Sequence, residues 1–217
     1  MKMENKVYFF NNKRTEKFNY ILHLPEDFKA GLPMIVALHG AGERGDDHKR
    51  ITVHGVARYI SEGLKVPAVV LAPQCPSGFT WNMLTVELKE LIDSVAAEYE
   101  VDADRISLTG LSMGGFGTWE MGINYPGFFS ALAPICGGGM SWRVGEIGKT
   151  PVWTFHGDSD DVVPPEGTYA MVAKLRSKGG NVKFTVFQGV KHNSWAPAYE
   201  DTKLIDWLIA QNRKDLV

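Results

Sequence analysis

The segment "TGLSMGGFG", residues Thr109–Gly117, contains the strand-to-helix turn that indicates the architecture of this chain. It places one serine, Ser112, among four glycines, although a glycine inside a helix or strand costs roughly 0.5–1 kcal/mol relative to alanine. Gly110, Ser112 and Gly114 fit the pattern G-x-S-x-G, a tight strand-to-helix turn that holds a serine in a strained backbone conformation. A serine that merely caps a helix on a glycine-rich turn is the alternative. The apolar "RISLT" before the serine and the amphipathic "FGTWEMGINY" after it favour the strained turn, which has no room for a Cβ.

Apolar runs alternate with helical stretches along the rest of the chain. Continuous apolar runs are typical of buried parallel strands, and they cover 33–40, 67–73, 105–110, 129–139, 151–157 and 182–189. Residues 6–10 and 18–24 predict an antiparallel hairpin joined by a polar turn over 11–17. Apolar residues spaced close to the helical period predict helices over 85–100, 166–180 and 202–213. This alternation predicts an α/β fold with a mostly parallel sheet, and we expect one domain over residues 1–217.

Composition excludes several classes of partner. The net charge is −2 and the isoelectric point is near 6.3, so no broad basic surface favours nucleic acid or an anionic membrane. The first residues contain no apolar run long enough for a signal peptide, and no stretch reaches the ~18 apolar residues of a membrane span. We expect a cytoplasmic protein with no membrane span and no nucleic-acid partner; nothing in the pattern fixes an oligomeric state.

A serine nucleophile needs a base, and the base needs an orienting carboxylate. The chain supplies candidates in "HGDSDDVVP", residues 156–164, and in "GVKHNSW", residues 189–195. Each segment follows the carboxyl end of a predicted strand, and sites in open α/β sheets are built at these ends. His192 is the predicted base, because it is the only histidine after His156. Asp158, Asp160 and Asp161 crowd one loop, and composition does not separate them.

The remaining histidines are expected to be structural. His39 and His156 each precede a glycine at a strand end and should bond to loop backbone. Asp46, His48 and His54 match no standard zinc spacing. The sequence therefore predicts no metal and no other cofactor.

Acyl transfer also requires hydrogen-bond donors for the oxyanion. The backbone N–H of Met113, which directly follows the serine, is the first candidate. The second should come from the loop "HGAGERGDD", residues 39–47, where Ala41 stands just past the His-Gly pair.

The four segments "HGAGERGDD", "GLSMGG", "HGDSDDVVP" and "GVKHNSW" resemble those of serine esterases of the α/β-hydrolase superfamily. They are most similar to the phospholipase/carboxylesterase and dienelactone-hydrolase-like branch, which includes acyl-protein thioesterases, feruloyl-esterase-like enzymes and predicted peptidases. The resemblance runs from about Ile35 to Trp195. It implies an α/β-hydrolase fold with a mostly parallel sheet of about eight strands, helices on both faces and no large cap domain.

The resemblance also implies roles for individual residues. Ser112, Asp160 and His192 would form a catalytic triad, with Ala41 and Met113 as oxyanion donors. Asp160 is favoured among the three aspartates because it alone fits the family's pattern H-G-x-x-D-x-x-V-P. Dienelactone hydrolases proper carry a cysteine where Ser112 stands here, so their activity is not implied.

The superfamily's strand order bears on the two cysteines. The strands ending near Cys75 and Cys136 would be separated by two others, and three spacings of ~4.8 Å give ~14 Å. That distance exceeds the Cα separation of a disulfide. Both cysteines should therefore be free thiols.

The shape of the site sets expectations for the substrate. Only residues 137–150 separate two predicted strands at the place where lipases insert a lid, so we expect an open groove that takes short or compact acyl groups. Trp81, Trp142 and Trp195 lie in loops at this edge and could line a pocket or serve as packing residues. Glu43 and Arg44 could bind a polar substrate group, or a salt bridge between them could pin their own loop.

Three classes of function follow. The leading one is hydrolysis of a small-molecule carboxylic ester through an acyl-enzyme. The same residues could instead cleave peptides or amides, or transfer an acyl group to an acceptor other than water. A binding module without activity is disfavoured because the serine, aspartate and histidine are all present.

Overall fold

The central element of the fold is a sheet of eight strands. The structure is a computed structural model that describes residues 6–10 and 18–216, with side chains from Asn19 onward. The strands are β1 Lys6–Phe10, β2 Phe18–His23, β3 Met34–Leu38, β4 Val69–Pro73, β5 Ile106–Leu111, β6 Ala131–Ile135, β7 Val152–Gly157 and β8 Val182–Phe187.

The order of the strands across the sheet is β1-β2-β4-β3-β5-β6-β7-β8. β2 runs antiparallel to β1 and to β4, and every other neighbouring pair is parallel. The hairpin and the mostly parallel sheet predicted from the sequence are confirmed. The polar turn predicted over residues 11–17 lies outside the described residues.

Helices cover both faces of the sheet, as expected. They are α1 Gly55–Ser61, α2 Thr85–Glu98, α3 Met113–Asn124, α4 Glu166–Ser177, α5 Trp195–Glu200 and α6 Leu204–Ala210. Alternate residues of β3 point to opposite faces: Met34 and Val36 join a core with α2, α3 and α4, whereas Ile35 joins a second core with α1, α5 and α6. The strand β3 therefore supplies two cores at once.

The helices differ from the prediction in three places. The helix α1 was not predicted, because it is too short to show a helical period and it opens with Gly55, a poor helix former. The helix α5 was not predicted either. It contains Pro197 in its first turn, where proline is tolerated, although proline breaks a helix elsewhere. The helix predicted over 202–213 ends at Ala210, because the chain turns to pair Arg213 with Asp104 at 2.9 Å.

The turn between β5 and α3 is packed too tightly for side chains at its glycines. An ideal Cβ on Gly114 would lie 2.2 Å from the carbonyl oxygen of Leu38, at the end of β3. One on Gly115 would lie 2.4 Å from the carbonyl oxygen of Ile135, at the end of β6, and one on Gly110 would lie 2.4 Å from Gly114 O. The first turn of α3 therefore packs between two strand ends, and the tight turn without room for a Cβ that the sequence predicted is confirmed.

The carboxyl edge of the sheet is left open by the connections that cross it. Residues 136–151, between β6 and β7, contain only a short 3-10 segment, Ser141–Ile147. No cap domain is present within the residues that the structure describes. Cys75 and Cys136 are buried free thiols, and their strands are separated by β3 and β5, as expected. In the described part of the chain, no helix has the length and apolar character needed to cross a bilayer.

Candidate active site

Ser112 occupies a strained position between β5 and α3. Its backbone has φ 53° and ψ −117°, a region that costs a non-glycine residue of order 1–3 kcal/mol and that clusters at functional sites. The N–H of Ser112 donates to the carbonyl of Ile135 at 2.9 Å, which helps to hold this conformation. The side chain is left half-buried at the open edge of the sheet.

Three predicted site residues come together at this edge from three different loops. Nε2 of His192 lies 2.9 Å from Oγ of Ser112, and Nδ1 of His192 lies 2.8 Å from Oδ2 of Asp160. A carboxylate oxygen can only accept, so Nδ1 carries the proton and the lone pair of Nε2 faces the serine hydroxyl. This is the arrangement that a general base requires.

The carboxylate of Asp160 is buried and fully hydrogen-bonded. Oδ1 accepts from the amides of Val162 and Val163 at 3.0 and 2.9 Å, and Oδ2 accepts from His192 and lies 3.1 Å from Nε2 of His156. Burial acts to raise the pKa of Asp160, but the hydrogen bonds from His192 and from the two amides outweigh it and lower the pKa of this carboxyl. Asp160 is therefore ionised at neutral pH.

The other two aspartates of this loop serve different contacts. Oδ1 of Asp158 accepts from the amide of Gly189 at 2.7 Å, which ties the turn to the loop after β8. Asp161 is exposed and pairs with Lys191 at 3.0 Å. Of the three candidates left open by composition, Asp160 is the one that contacts His192.

The two predicted oxyanion donors lie at the starts of helical segments. Met113 is the first residue of α3, and Ala41 is the first residue of the 3-10 segment Ala41–Glu43. The first N–H groups of a helix have no acceptor within it. An ideal Cβ on Gly40 would lie 3.7 Å from Cβ of Ser112, so the loop that carries Ala41 lies directly beside the serine. The role of both N–H groups stays a prediction.

The buried imidazole of His39 bonds to the backbone of the loop that carries Ala41. Its Nε2 accepts from the amide of Cys75 at 2.9 Å, so Nδ1 carries the proton and donates to the carbonyl of Gly40 at 2.6 Å. Burial lowers the pKa of His39 to about 4, against the opposing hydrogen bond to Gly40. His39 is therefore neutral and bonded to loop backbone, as the sequence predicted.

The three tryptophans occupy different environments. Trp81 is fully buried and donates from Nε1 to the carbonyl of His39 at 2.9 Å. Of the two roles left open for Trp81, this environment fits that of a packing residue beneath the loop that carries Ala41. Trp142 is 74% exposed, and its ring lies 6.0 Å from the guanidinium of Arg143. Trp195 is at the site: its ring meets that of His192 nearly at right angles, with 5.4 Å between centroids.

Glu43 and Arg44 do not pair with each other. Arg44 donates to the carbonyls of Ala41 and Phe79 at 3.0 and 3.4 Å, so it pins the loop through backbone contacts. Glu43 is buried, and its carboxylate lies 3.7 Å from Nε2 of His54. A substrate contact by Glu43 stays a prediction.

A possible ligand set for a metal overlaps the predicted triad. In the described part of the chain, Cys136, Asp160 and His192 each offer a ligand atom, and these atoms lie within 4.8 Å of one another. Burial raises the pKa of the Cys136 thiol to about 12, so the thiol is protonated at neutral pH and is a poor ligand in that form. The atoms of Asp160 and His192 are engaged in their mutual hydrogen bond. The arrangement fits proton transfer better than metal binding.

Sequence reasoning missed a cleft that begins one helical turn from Ser112. The cleft has a volume of about 460 Å³ and is lined by Asn82, Phe116, Glu120, Gly139 and Met140. Phe116 and Glu120 lie four residues apart on α3, and residues at this spacing share one helix face. The spacing of Phe116 and Glu120 was the available signal for the cleft.

Comparisons with known proteins relate the chain mainly to esterases. The Putative esterase family matches residues 12–163 of this chain, and the Prolyl oligopeptidase family matches residues 140–212. The chain is 26% identical over 195 residues to poly(3-hydroxyalkanoate) depolymerase C from Paucimonas lemoignei, over 82% of this chain and 45% of that protein. It is 26% identical over 147 residues to a bifunctional acetylxylan esterase/xylanase from Neocallimastix patriciarum, over 65% of this chain and 21% of that protein. The chain thus spans less than half the length of these relatives.

Among solved structures, a thermostable esterase is similar with a TM-score of 0.84 and 34% sequence identity. The likeness covers 96% of this chain and 63% of that chain. It confirms the α/β-hydrolase fold expected from the sequence.

Exchange of the three loop aspartates for asparagine separates their roles. Asp160→Asn should lower kcat for a p-nitrophenyl ester by about 10³–10⁴, because the imidazole loses the carboxylate that orients it and stabilises its charged form. Asp158→Asn and Asp161→Asn are the matched controls and should stay within about tenfold of wild type, a difference of ~1.4 kcal/mol. Circular dichroism checks that all three variants are folded. An inactive Asp161→Asn beside a nearly normal Asp160→Asn would assign the acid to Asp161.

Proposed function

This chain belongs to the Putative esterase family, and on that premise we propose that it hydrolyses small carboxylic esters through an acyl-enzyme on Ser112. It is a carboxylesterase-type hydrolase; the triad, the covalent intermediate and the size of the substrate are our proposal. The observation that carries the proposal is the pair of hydrogen bonds made by His192, to Ser112 at 2.9 Å and to Asp160 at 2.8 Å. We further propose that residues 1–217 form one α/β-hydrolase domain. A cytoplasmic location stays a prediction.

Acylation begins at the hydroxyl of Ser112. Its Oγ attacks the carbonyl carbon of the ester while its proton passes to Nε2 of His192. Asp160 accepts the hydrogen bond from Nδ1 and stabilises the imidazolium. The N–H groups of Ala41 and Met113 donate to the tetrahedral oxyanion. The intermediate collapses, the alcohol leaves with the proton from Nε2, and the acyl group stays on Ser112.

Deacylation repeats these steps with water as the nucleophile. Nε2 of His192 takes a proton from water, and the resulting hydroxide oxygen attacks the acyl carbon. The second tetrahedral intermediate then releases the carboxylic acid, and Nε2 returns its proton to Oγ of Ser112. The enzyme ends the cycle in its starting protonation state.

The cleft lined by Phe116, Glu120 and Met140 supports a preference for compact substrates. It is open at the surface and without a lid among the described residues, so it offers no tunnel for a long acyl chain. Phe116 and Met140 would contact the apolar part of the ester, and Glu120 would face a polar group. Trp195, Trp142 and Glu43 remain further candidates for substrate contacts.

Peptide or amide cleavage, or acyl transfer to another acceptor, is the second candidate. The match of residues 140–212 to the Prolyl oligopeptidase family is the observation in its favour. We favour ester hydrolysis because the Putative esterase family covers the larger part of the chain.

Labelling with a fluorophosphonate probe tests the nucleophile. The probe should label the wild-type protein and fail to label Ser112→Ala, because the probe phosphonylates a serine whose hydroxyl is activated by a base. Ser159→Ala is the control, since Ser159 is an exposed serine in the loop of Asp160 and should not affect labelling. Ester turnover should disappear with Ser112→Ala and persist with Ser159→Ala. Labelling of Ser112→Ala at another serine would overturn the assignment.

The cleft predicts a dependence on acyl size. Soluble p-nitrophenyl esters of short or compact acids should be hydrolysed faster than long-chain triglyceride emulsions. Phe116→Ala should lower kcat/KM for a compact aryl or branched acyl ester by about tenfold or more, as expected for lost apolar contact in a pocket, and should change acetyl ester turnover less. Val86→Ala, an exposed position on α2, is the control and should change neither. Faster hydrolysis of the triglyceride would contradict an open, lidless site.

A further inference from the structure

A second imidazole contacts the carboxylate of Asp160, and the reaction scheme gives it no part. His156 is fully buried at the end of β7. Its Nε2 lies 3.1 Å from Oδ2 of Asp160, the same oxygen that accepts from Nδ1 of His192 at 2.8 Å. Two histidines therefore share one carboxylate oxygen.

The neighbours of His156 fix which nitrogen carries its proton. Nε2 lies 2.9 Å from the carbonyl oxygen of Val163 as well as 3.1 Å from the carboxylate of Asp160. Both partners are acceptors, and an unprotonated Nε2 would set its lone pair against theirs. Nε2 therefore carries a hydrogen and donates it.

The other ring nitrogen has a donor within reach. Nδ1 of His156 lies 2.8 Å from the hydroxyl oxygen of Thr168, which can donate to it. The single hydrogen of that hydroxyl can instead go to the carbonyl of Gly137 at 2.9 Å, which has a second lone pair beside the one that accepts from Nε1 of Trp119 at 3.0 Å. Either placement of the Thr168 hydrogen leaves Nε2 of His156 as a donor to Asp160 and Val163.

We propose that His156 is a positioning residue: its imidazole donates from Nε2 to Oδ2 of Asp160, holds the carboxylate towards His192 and weakens its pull on the His192 proton. The inference rests on the proposed function only for its effect on turnover. A carboxylate oxygen shared by two N–H donors binds each less strongly than it would bind one alone. Without His156, Asp160 should stabilise the imidazolium of His192 more, and a higher pH should be needed to free the base.

Other titratable groups near the pair do not replace this donor. From the end of β6, the thiol of Cys136 faces Asp160 and His192 and stays neutral, because burial raises its pKa to about 12. In the loops after β7 and β8, Asp161 and Lys191 pair with each other in solvent. The ring of Trp195, which contacts His192, also lies 5.3 Å from the ring of His54. His54 in turn faces the carboxylate of Glu43 at 3.7 Å. The helix α4 contributes the uncharged hydroxyl of Thr168.

Two variants of His156 separate the hydrogen bond from simple packing. His156→Leu removes the donor and fills similar space, whereas the amide nitrogen of His156→Gln can reach the place of Nε2. The acid limb of the kcat/KM profile should move to higher pH by ~0.5 unit or more in His156→Leu, with a fall in kcat of about tenfold. His156→Gln should return the limb towards wild type. A folded His156→Leu whose activity falls equally at every pH, with the limb unmoved, would make His156 a packing residue only.

Nitrogen-15 NMR of the histidines gives a readout that needs neither turnover nor a variant. In the resting wild-type protein at neutral pH, His156 should show a proton on Nε2. A proton on Nδ1 alone would overturn the proposal even if His156→Leu failed to fold. In His156→Leu, His192 should titrate at higher pH than in wild type. That shift would persist even if Ser112 proved not to be the nucleophile, so the two proposals fail independently.

Discussion

The site depends on the backbone contact between the first turn of α3 and the ends of β3 and β6. A Cβ on Gly114 or on Gly115 would lie within 2.4 Å of a carbonyl oxygen of these strands, so the helix can approach this closely only where the side chain is hydrogen. The approach forces the chain through a positive φ at Ser112, which the hydrogen bond to Ile135 and the packing of α3 maintain. The serine hydroxyl is thereby presented at the open edge with a helix N-terminus behind it, where developing negative charge is favoured.

Electrostatics at this edge converge on the carboxylate of Asp160. Its two oxygens receive two backbone amides and two imidazoles, so a buried charge that would otherwise be costly is fully solvated by the protein. The loops after β7 and β8 that supply these donors are joined by Asp158, which bonds to the amide of Gly189. Orientation of His192 is therefore built into the loops, whereas the position of Ser112 is built into the sheet and α3. A 2.9 Å hydrogen bond joins the histidine and the serine that these different parts of the fold position.

Local pattern was sufficient for some features and insufficient for others. The turn at Ser112 could be predicted because the pattern G-x-S-x-G and its flanking strand and helix are local in the sequence, although the carbonyls that exclude a Cβ at Gly114 and Gly115 belong to β3 and β6. All three loop aspartates follow the same strand, so composition could not tell which one contacts His192. Only the family's pattern H-G-x-x-D-x-x-V-P singled out Asp160. The burial of Trp81 could not be predicted from the sequence because it depends on Gly117 of a distant helix, where a Cβ would lie 2.5 Å from Cβ of Trp81. The helix α5 was missed because Pro197 reads as a breaker unless the first turn is known to lie there.

The most direct test of the central claim is the mass of the protein during turnover. A p-nitrophenyl ester is mixed with the enzyme, and the reaction is quenched with acid within the first turnovers. The protein is then digested, and the masses of its peptides are measured by mass spectrometry. We expect the peptide that contains Ser112 to gain the mass of the acyl group less one hydrogen, together with a burst of p-nitrophenol of up to one equivalent if deacylation is slower than acylation. An acyl group found on another residue, such as Cys136, would contradict the assignment of Ser112 as the nucleophile.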